Sequence, residues 1–228
     1  MDRAKWDRWA PGAGILGVAL IIVTFFLPAK SPPKVGDEAA MVAAFFTDNR
    51  SELLTSAFLS GLAIIALTWF FASLVYSLWN AGEVRLSIVV LAGAVMLGAM
   101  ATLATALEAL LAYDLAGRLE AETVRGVFLL TMAPYAFGWG LAIIALATGV
   151  AAMRSAMLPA WYSGLSVLAA LWFVVSGLTY ADSGFFSPSG GFGFIGFLAF
   201  LAWVLLTSGL LLRRSMPGEA PTAAPASM

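Results

Sequence analysis

The sequence predicts an all-α fold, a polytopic transmembrane helical bundle of about six spans with both termini on the same side. Three observations predict it. The chain has 228 residues, 61% of them hydrophobic, and a mean hydropathy of +0.93. Only 11% are charged, against about 25% in an ordinary soluble domain. A soluble fold of this size has too little interior to hide that much apolar surface, whereas a bilayer removes the constraint. The third observation is length. A helix rises ~1.5 Å per residue, so ~20 apolar residues cross a ~30 Å hydrocarbon core.

The apolar stretches are Pro11–Leu27, Leu53–Trp79, Leu86–Tyr113, Gly126–Met153, Trp161–Tyr180 and Phe192–Leu212. Backbone amides in lipid must bond within their own segment, which makes each stretch a helix. A barrel needs short alternating strands, and these runs are continuous. Residues 1–10 are a cytoplasmic N-terminal segment, 11–212 the membrane domain, and 213–228 a Pro/Ala-rich disordered cytoplasmic tail. The first stretch follows Arg3, Lys5 and Arg8, as a signal peptide would. It is long for one, and Leu27 suits a cut at Ala29 poorly, so it is read as a retained helix.

The connections differ. The first, Pro28 to Glu52, is the longest. Its Lys30-Ser31-Pro32-Pro33-Lys34 stretch is extended by its prolines, and Asp37 to Phe46 suits a short amphipathic turn lying on the membrane. The turns at Asn80–Arg85 and Arg154–Ala160 are short and make tight hairpins. Asp182–Gly191, rich in Gly and Ser, is expected to be mobile.

With six spans, one side carries Arg3, Lys5, Arg8, Arg85, Arg154, Arg213 and Arg214. The other carries Lys30, Lys34, Arg50, Arg118 and Arg125. Basic residues in short loops mark the cytoplasmic side, and Arg85, Arg154 and Arg213-Arg214 fit that description. Both termini are therefore expected in the cytoplasm, with the chain a multi-pass protein of the inner (plasma) membrane. Trp6, Trp9, Trp79 and Trp161 then sit at the inner interface, where indole rings favour the headgroups.

Gly61-Leu62-Ala63-Ile64-Ile65-Ala66-Leu67 recurs unchanged as Gly140–Leu146, an offset of 79 residues. At that offset 12 of the 30 residues over 58–87 are identical, ending in Leu86-Ser87 against Leu165-Ser166. Two readings stand. One is a duplicated hairpin in parallel orientation. The other is coincidence in a poor alphabet of Ala, Leu, Ile and Gly.

Absences narrow the chemistry. There is no cysteine and no histidine, so disulfides, thiol redox, His- or Cys-ligated haem, the usual zinc sites and His-dependent triads are excluded. A net charge of −1 gives no electrostatic case for nucleic acid. No cofactor and no metal are expected. Gly191-Phe192-Gly193-Phe194-Ile195-Gly196 has the letters of a dinucleotide fingerprint but no preceding strand, so it is discarded.

What remains is polarity within the spans. Glu108 is the one clear ionisable residue inside a stretch, and such residues are costly enough to suggest function. Counting back from Tyr113 places it ~7 Å inside the outer boundary. Thr102, Thr105 and Glu108, spaced by three, form a polar stripe. Thr131 and Tyr135 lie at a similar depth on the fourth stretch, beside Pro134, which should kink that helix and free a carbonyl. Glu108, Thr105, Thr102, Tyr135 and Thr131 are the candidate ligand-binding residues of an outward-facing pocket. Thr24, Thr55, Ser56, Ser60, Ser176, Thr179 and Tyr180 crowd the same half. The competing reading is that Ser and Thr bond their own helix carbonyls and let helices approach closely. Ala13/Gly17, Ala94/Gly98 and Gly193/Gly196 offer small-residue faces for such approach, and Met96 and Met100 read as core filler.

Phe45-Phe46 and Asn49-Arg50 before the second stretch, Trp69-Phe70 within it, and Arg154, Leu158-Pro159 and Trp161 before the fifth carry a resemblance. On these residues the chain resembles a group of uncharacterised bacterial six-helix integral membrane proteins with a domain of unknown function. The resemblance implies a helical bundle over nearly the whole chain and supplies no activity. Members often have a His where this chain has Asn49, so no role of that His transfers.

Two functions follow as expectations. The first is a non-enzymatic bundle acting by association with lipid, a membrane-protein partner or a second copy of itself. The alternative is a small transporter, channel or ligand-binding protein using the outer pocket around Glu108. An enzyme is the least expected, since one Glu with hydroxyls offers little beyond acid–base work.

Overall fold

The computed structural model describes residues 9–28, 31–132, 134–177, 181, 183–187 and 190–215. The described residues are helical and contain no strand. In chain order the helices are α1 (Ala13–Phe25, entered by a 3-10 turn at Ala10–Gly12), α2 (Ala39–Asp48) and α3 (Arg50–Asn80). Then come α4 (Val84–Leu110, continuing through a π segment Leu111–Leu115 to Arg118) and α5 (Ala121–Thr131). The last are α6 (Pro134–Ser155), α7 (Ala160–Ser176) and α8 (Gly191–Ser215).

Four stretches are long and apolar enough to cross a membrane: Arg50–Asn80, Val84–Arg118, Phe137–Ser155 and Gly191–Arg214. Ala10–Phe25 and Ala160–Ser176 are equally apolar but shorter. The 17 residues of α7 span ~26 Å, just under a typical ~30 Å core.

Six helices close a ring in chain order. α1 packs on α3, α3 on α4, α4 on α6, α6 on α7, α7 on α8, and α8 back on α1. Side chains fill the middle: Val18, Phe70, Leu74, Leu78, Ile144, Tyr162, Trp203 and Val204 are all essentially inaccessible. Apolar residues point outward as well, among them Ile88, Val95, Leu103, Leu168, Leu171 and Leu198, the pattern of a helix bundle solvated by lipid. Close approach is made at particular glycines. Gly93 on α4 and Gly140 on α6 face each other, a Cβ on either standing 3.2–3.3 Å from the other's carbonyl oxygen. Gly17 fits against Leu67, as its small-residue face suggested. Gly98 faces open space, so the Ala94/Gly98 pair is not the α4 contact. Met96 is exposed and Met100 half-buried, so neither fills the core.

One end of the ring is tied by basic residues. Arg154, closing α6, pairs with Glu83 in the α3–α4 turn at 3.3 Å. Arg214, closing α8, donates to the Met157 carbonyl in the α6–α7 turn at 2.8 Å. Gly12 lies beside Leu212, bringing the start of α1 to the same end. Trp9, Trp79 and Trp161 are exposed there, while Trp6 lies outside the described residues. The two hairpin turns each use a left-handed residue, Gly82 and Ala156. These lie 74 positions apart, not 79, so the ungapped match cannot superpose both hairpins. Its common core is Gly61–Leu67 with Gly140–Leu146, where Ala63 and Ala142, and Ala66 and Ala145, are buried in pairs.

The opposite end departs most from expectation. The fourth apolar stretch is not one kinked helix but two, with the break between Thr131 and Pro134. Proline lacks the N–H that would continue α5's ladder. The third stretch does not stop at Tyr113 but runs on to Arg118. The segment around Asp37–Phe46 is no surface turn, since α2 buries Val42, Phe45 and Phe46 against Leu111, Ala112, Ala116, Val124 and Phe128. α2, α5 and the far end of α4 thus form a cap with its own core. Asn49, 3% exposed, joins α2 to α3 and donates from its side-chain amide to the Phe45 carbonyl at 2.8 Å. Arg50 sits over the Tyr113 ring, and Arg125 donates to the Val35 carbonyl. In the last connection, Phe185 and Phe186 fold onto Phe192, and the Phe192 N–H bonds the Phe185 carbonyl, so its described part is packed.

Candidate functional site

Of the residues marked by the sequence, Glu108 and Thr131 come together at the base of this cap. Glu108 is half-buried on α4, three residues before the π segment. Its carboxyl shares a side-chain hydrogen bond with Thr131, the last residue of α5. Thr131 is 6% exposed and also bonds the Phe128 carbonyl at 2.7 Å. The break between α5 and α6 therefore places a buried hydroxyl against the one carboxylate of the stripe. Among the described residues, the ion pairs fall on Asp114, Glu122 and Glu83, and no Lys or Arg pairs with Glu108.

The rest of the stripe is plainer. Thr102 is exposed and donates to the Gly98 carbonyl of its own helix at 2.8 Å. Thr105 is half-buried. The Tyr135 side chain lies outside the described residues, as do Thr179 and Tyr180. Thr24, Thr55 and Ser176 bond carbonyls at Ile21, Ser51 and Phe173 in their own helices. These hydroxyls bond the local backbone, as is common in membrane helices.

A second polar constellation was not anticipated. It lies at the basic end, between α7 and α8. The Trp203 indole N–H donates to Ser166 Oγ at 3.0 Å. Ser166 also bonds Tyr162. The Tyr162 hydroxyl meets Thr207 Oγ1 at 2.7 Å, and Thr207 donates to the Trp203 carbonyl at 2.7 Å. Tyr162, Ser166 and Thr207 have no exposed surface. Counting protons fixes the direction. Thr207 spends its only proton on the carbonyl, so Tyr162 must donate to Thr207, and Ser166 to Tyr162. The circuit Trp203 → Ser166 → Tyr162 → Thr207 → Trp203 carbonyl closes with every donor used. Nearby, Ser163 Oγ and Ser208 Oγ are buried without a partner among the described residues. Ser208 lies against Gly14, and a Cβ at Gly14 would collide with both its hydroxyl and the Phe70 ring. The sequence held a weak signal for the circuit. Tyr162 and Ser166 are four apart on one helix face, as are Trp203 and Thr207 on another. Such spacing shows which residues share a face, but not that the two faces meet.

The residues suit few reactions. Among the described residues no three His, Cys, Asp or Glu side chains gather as a metal site. The circuit satisfies itself and presents no acid or base to solvent. At Glu108 and Thr131 a carboxylate, a buried hydroxyl and the end of α5 come together. No protein-family model matches the chain, and neither a curated protein nor a solved structure matches it, so the resemblance stands on its short motifs alone.

Proposed function

We propose that this is a six-span integral membrane protein of the plasma membrane, with both termini cytoplasmic, that acts by association rather than by catalysis or conduction. The observation that carries this reading is the closed ring with a filled middle, since Phe70, Leu74, Leu78, Tyr162 and Trp203 occupy the volume a path would need. Its apolar outer surface suits lipid, a membrane-protein partner or a second copy of the chain. α1 and α7 supply the two shorter spans, and a modest local thinning of the bilayer accommodates them. The basic end, with Arg85, Arg154, Arg213 and Arg214, is the cytoplasmic end. The cap of α2, α5 and the end of α4 then stands outside. Measured from Leu86, Glu108 lies ~33 Å along its helix, at or just beyond a ~30 Å core, shallower than a boundary at Tyr113 implies. The test is flux. Proteoliposomes holding the full chain are expected to release entrapped ions and small dyes no faster than empty vesicles. Release that depends on the protein would contradict the reading.

One observation favours a second reading, a ligand site open to the outside around Glu108. It is the hydrogen bond from α4 to α5 across a broken helix at the membrane surface. Thr131 belongs to that site directly. Thr105 and Thr102 would line its approach.

A further inference from the structure

The seven residues that α3 and α6 share meet different surroundings. In α6 they form a notch of Gly140, Ile143 and Ile144 that receives Gly93 of α4. A Cβ at Gly93 would stand 2.9 Å from Ile144 Cγ1, 3.1 Å from Ile143 Cγ2 and 3.2 Å from the Gly140 carbonyl oxygen. In α3 the same notch is Gly61, Ile64 and Ile65. Both copies bury the same alanines, Ala63 with Ala142 and Ala66 with Ala145, so each turns the same face inward. Yet Ile144 is 1% exposed and Ile65 is 58% exposed. A Cβ at Gly61 would meet nothing within 4 Å. α3 packs on α4 without using this notch, which opens outward. Gly98 of α4 also faces open space, between Val95 and Thr102, both exposed.

We propose that the α3–α4 hairpin is a homodimer interface, in which Gly98 of each copy enters the Gly61, Ile64 and Ile65 notch of the other. The occupant follows from the twin. Inside the chain this notch is filled by α4, and a second copy presents α4 with a glycine still open. Direction agrees. α4 runs against α6, since Arg154 at the end of α6 pairs with Glu83 just before α4, and it runs against α3 across their tight turn. A second copy inserted the same way therefore offers α4 to α3 in the sense that α6 already accepts. Height agrees as well. In the engaged pair, Gly140 lies ~22 Å from Ser155 and Gly93 ~14 Å from Val84, an offset of ~9 Å. In the proposed pair, Gly61 lies ~28 Å from Asn80 and Gly98 ~21 Å from Val84, an offset of ~7 Å. Coverage points to the same face. Only 28% of the α3 span and 22% of the α4 span are buried, against 56% for α6 and 44% for α8. A two-fold axis along the membrane normal makes the contact twice, α3 on α4 and α4 on α3. In lipid, such close backbone approach at glycine is what drives helices together. The inference rests on the reading that the protein acts by association, and it names the partner as a second copy.

The test reconstitutes the full chain in lipid vesicles. The chain has no cysteine, so Gly61→Cys and Gly98→Cys copies with different affinity tags are mixed and oxidised with copper phenanthroline. Both glycines face open space within one copy, so both variants are expected to fold. The disulfide between unlike copies is expected to be the main product and to persist as lipid is added. A statistical mixture of like and unlike pairs, or a yield that falls in proportion to added lipid, would overturn the interface. Energy transfer between donor- and acceptor-tagged copies of the cysteine-free chain gives the second measurement. Gly61→Leu, which fills the notch, is expected to weaken dimerisation about tenfold. Equal transfer in wild type and Gly61→Leu would overturn the α3 notch as the contact. An absence of transfer in wild type, in vesicles that stay sealed, would overturn the second copy as partner while leaving the association reading intact.

Discussion

At the scale of single residues, the bundle satisfies one buried polar constellation in full, beside Ser163 and Ser208 hydroxyls that have no partner among the described residues. The Trp203–Ser166–Tyr162–Thr207 circuit is buried on every member, and each proton has one acceptor. Removing one hydroxyl leaves a neighbour unpaired in a site that water does not reach. Such a loss costs about 1–3 kcal/mol, whereas an intact side-chain bond in a membrane bundle contributes about 0.6 kcal/mol. Tyr162→Phe preserves the ring and its packing but strands the Ser166 proton. It is expected to lower stability by about 1–3 kcal/mol, read as the midpoint shift in an unfolding titration of the detergent-solubilised protein. Ser155→Ala, at the end of α6, is the control, since Ser155 serves only local backbone groups. An equal loss in both variants would mean that the circuit contributes nothing of its own.

At the scale of elements, close backbone contact depends on which glycines lie at crossings. Gly61 and Gly138 are both helical, yet a Cβ at Gly61 meets nothing within 4 Å while one at Gly138 stands 2.9 Å from the Phe173 carbonyl oxygen. Gly61→Ala is expected to be neutral or to stabilise by up to about 1 kcal/mol, because alanine favours helix. Gly138→Ala forces α6 away from α7 and is expected to destabilise by about 1–3 kcal/mol. Thermal unfolding of the two variants side by side checks the contrast, and similar midpoints would refute it. The sequence announces helices but not their neighbours. Periodic apolar length revealed α3, α4, α6 and α8, and the short turns at Gly82 and Ala156 revealed both hairpins. Pro134 announced a kink, though not that α5 would turn away to pack on α2. That outcome is decided by Phe46 meeting Phe128 across 82 residues of chain, with ring centroids 6.0 Å apart, a contact no local pattern encodes. The same limit applied to the site. Glu108 was legible as an unusual carboxylate and Thr131 as a nearby hydroxyl. Their hydrogen bond depends on a helix break whose geometry composition does not fix.

At the scale of the whole molecule, the structure divides into a side-chain-filled ring and a cap built over part of one end. The ring accounts for the outward apolar surface and for the anchors at the basic end. The cap accounts for the length of α3 and α4. The 31 residues of α3 cover ~46 Å, well beyond a ~30 Å hydrocarbon core. The central claim is that six helices cross and that the cap faces outward. The absence of cysteine gives a silent background for testing it. Single substitutions Asp2→Cys, Glu38→Cys, Ala81→Cys, Glu120→Cys, Ala156→Cys and Ser183→Cys place one thiol at the N-terminus and in each connection. In intact cells, a membrane-impermeant maleimide is expected to label Glu38→Cys, Glu120→Cys and Ser183→Cys. The other three should label only after the membrane is opened. Reaction of Ala156→Cys from outside, or protection of Ser183→Cys beside a reactive Glu120→Cys, would contradict the six-span account.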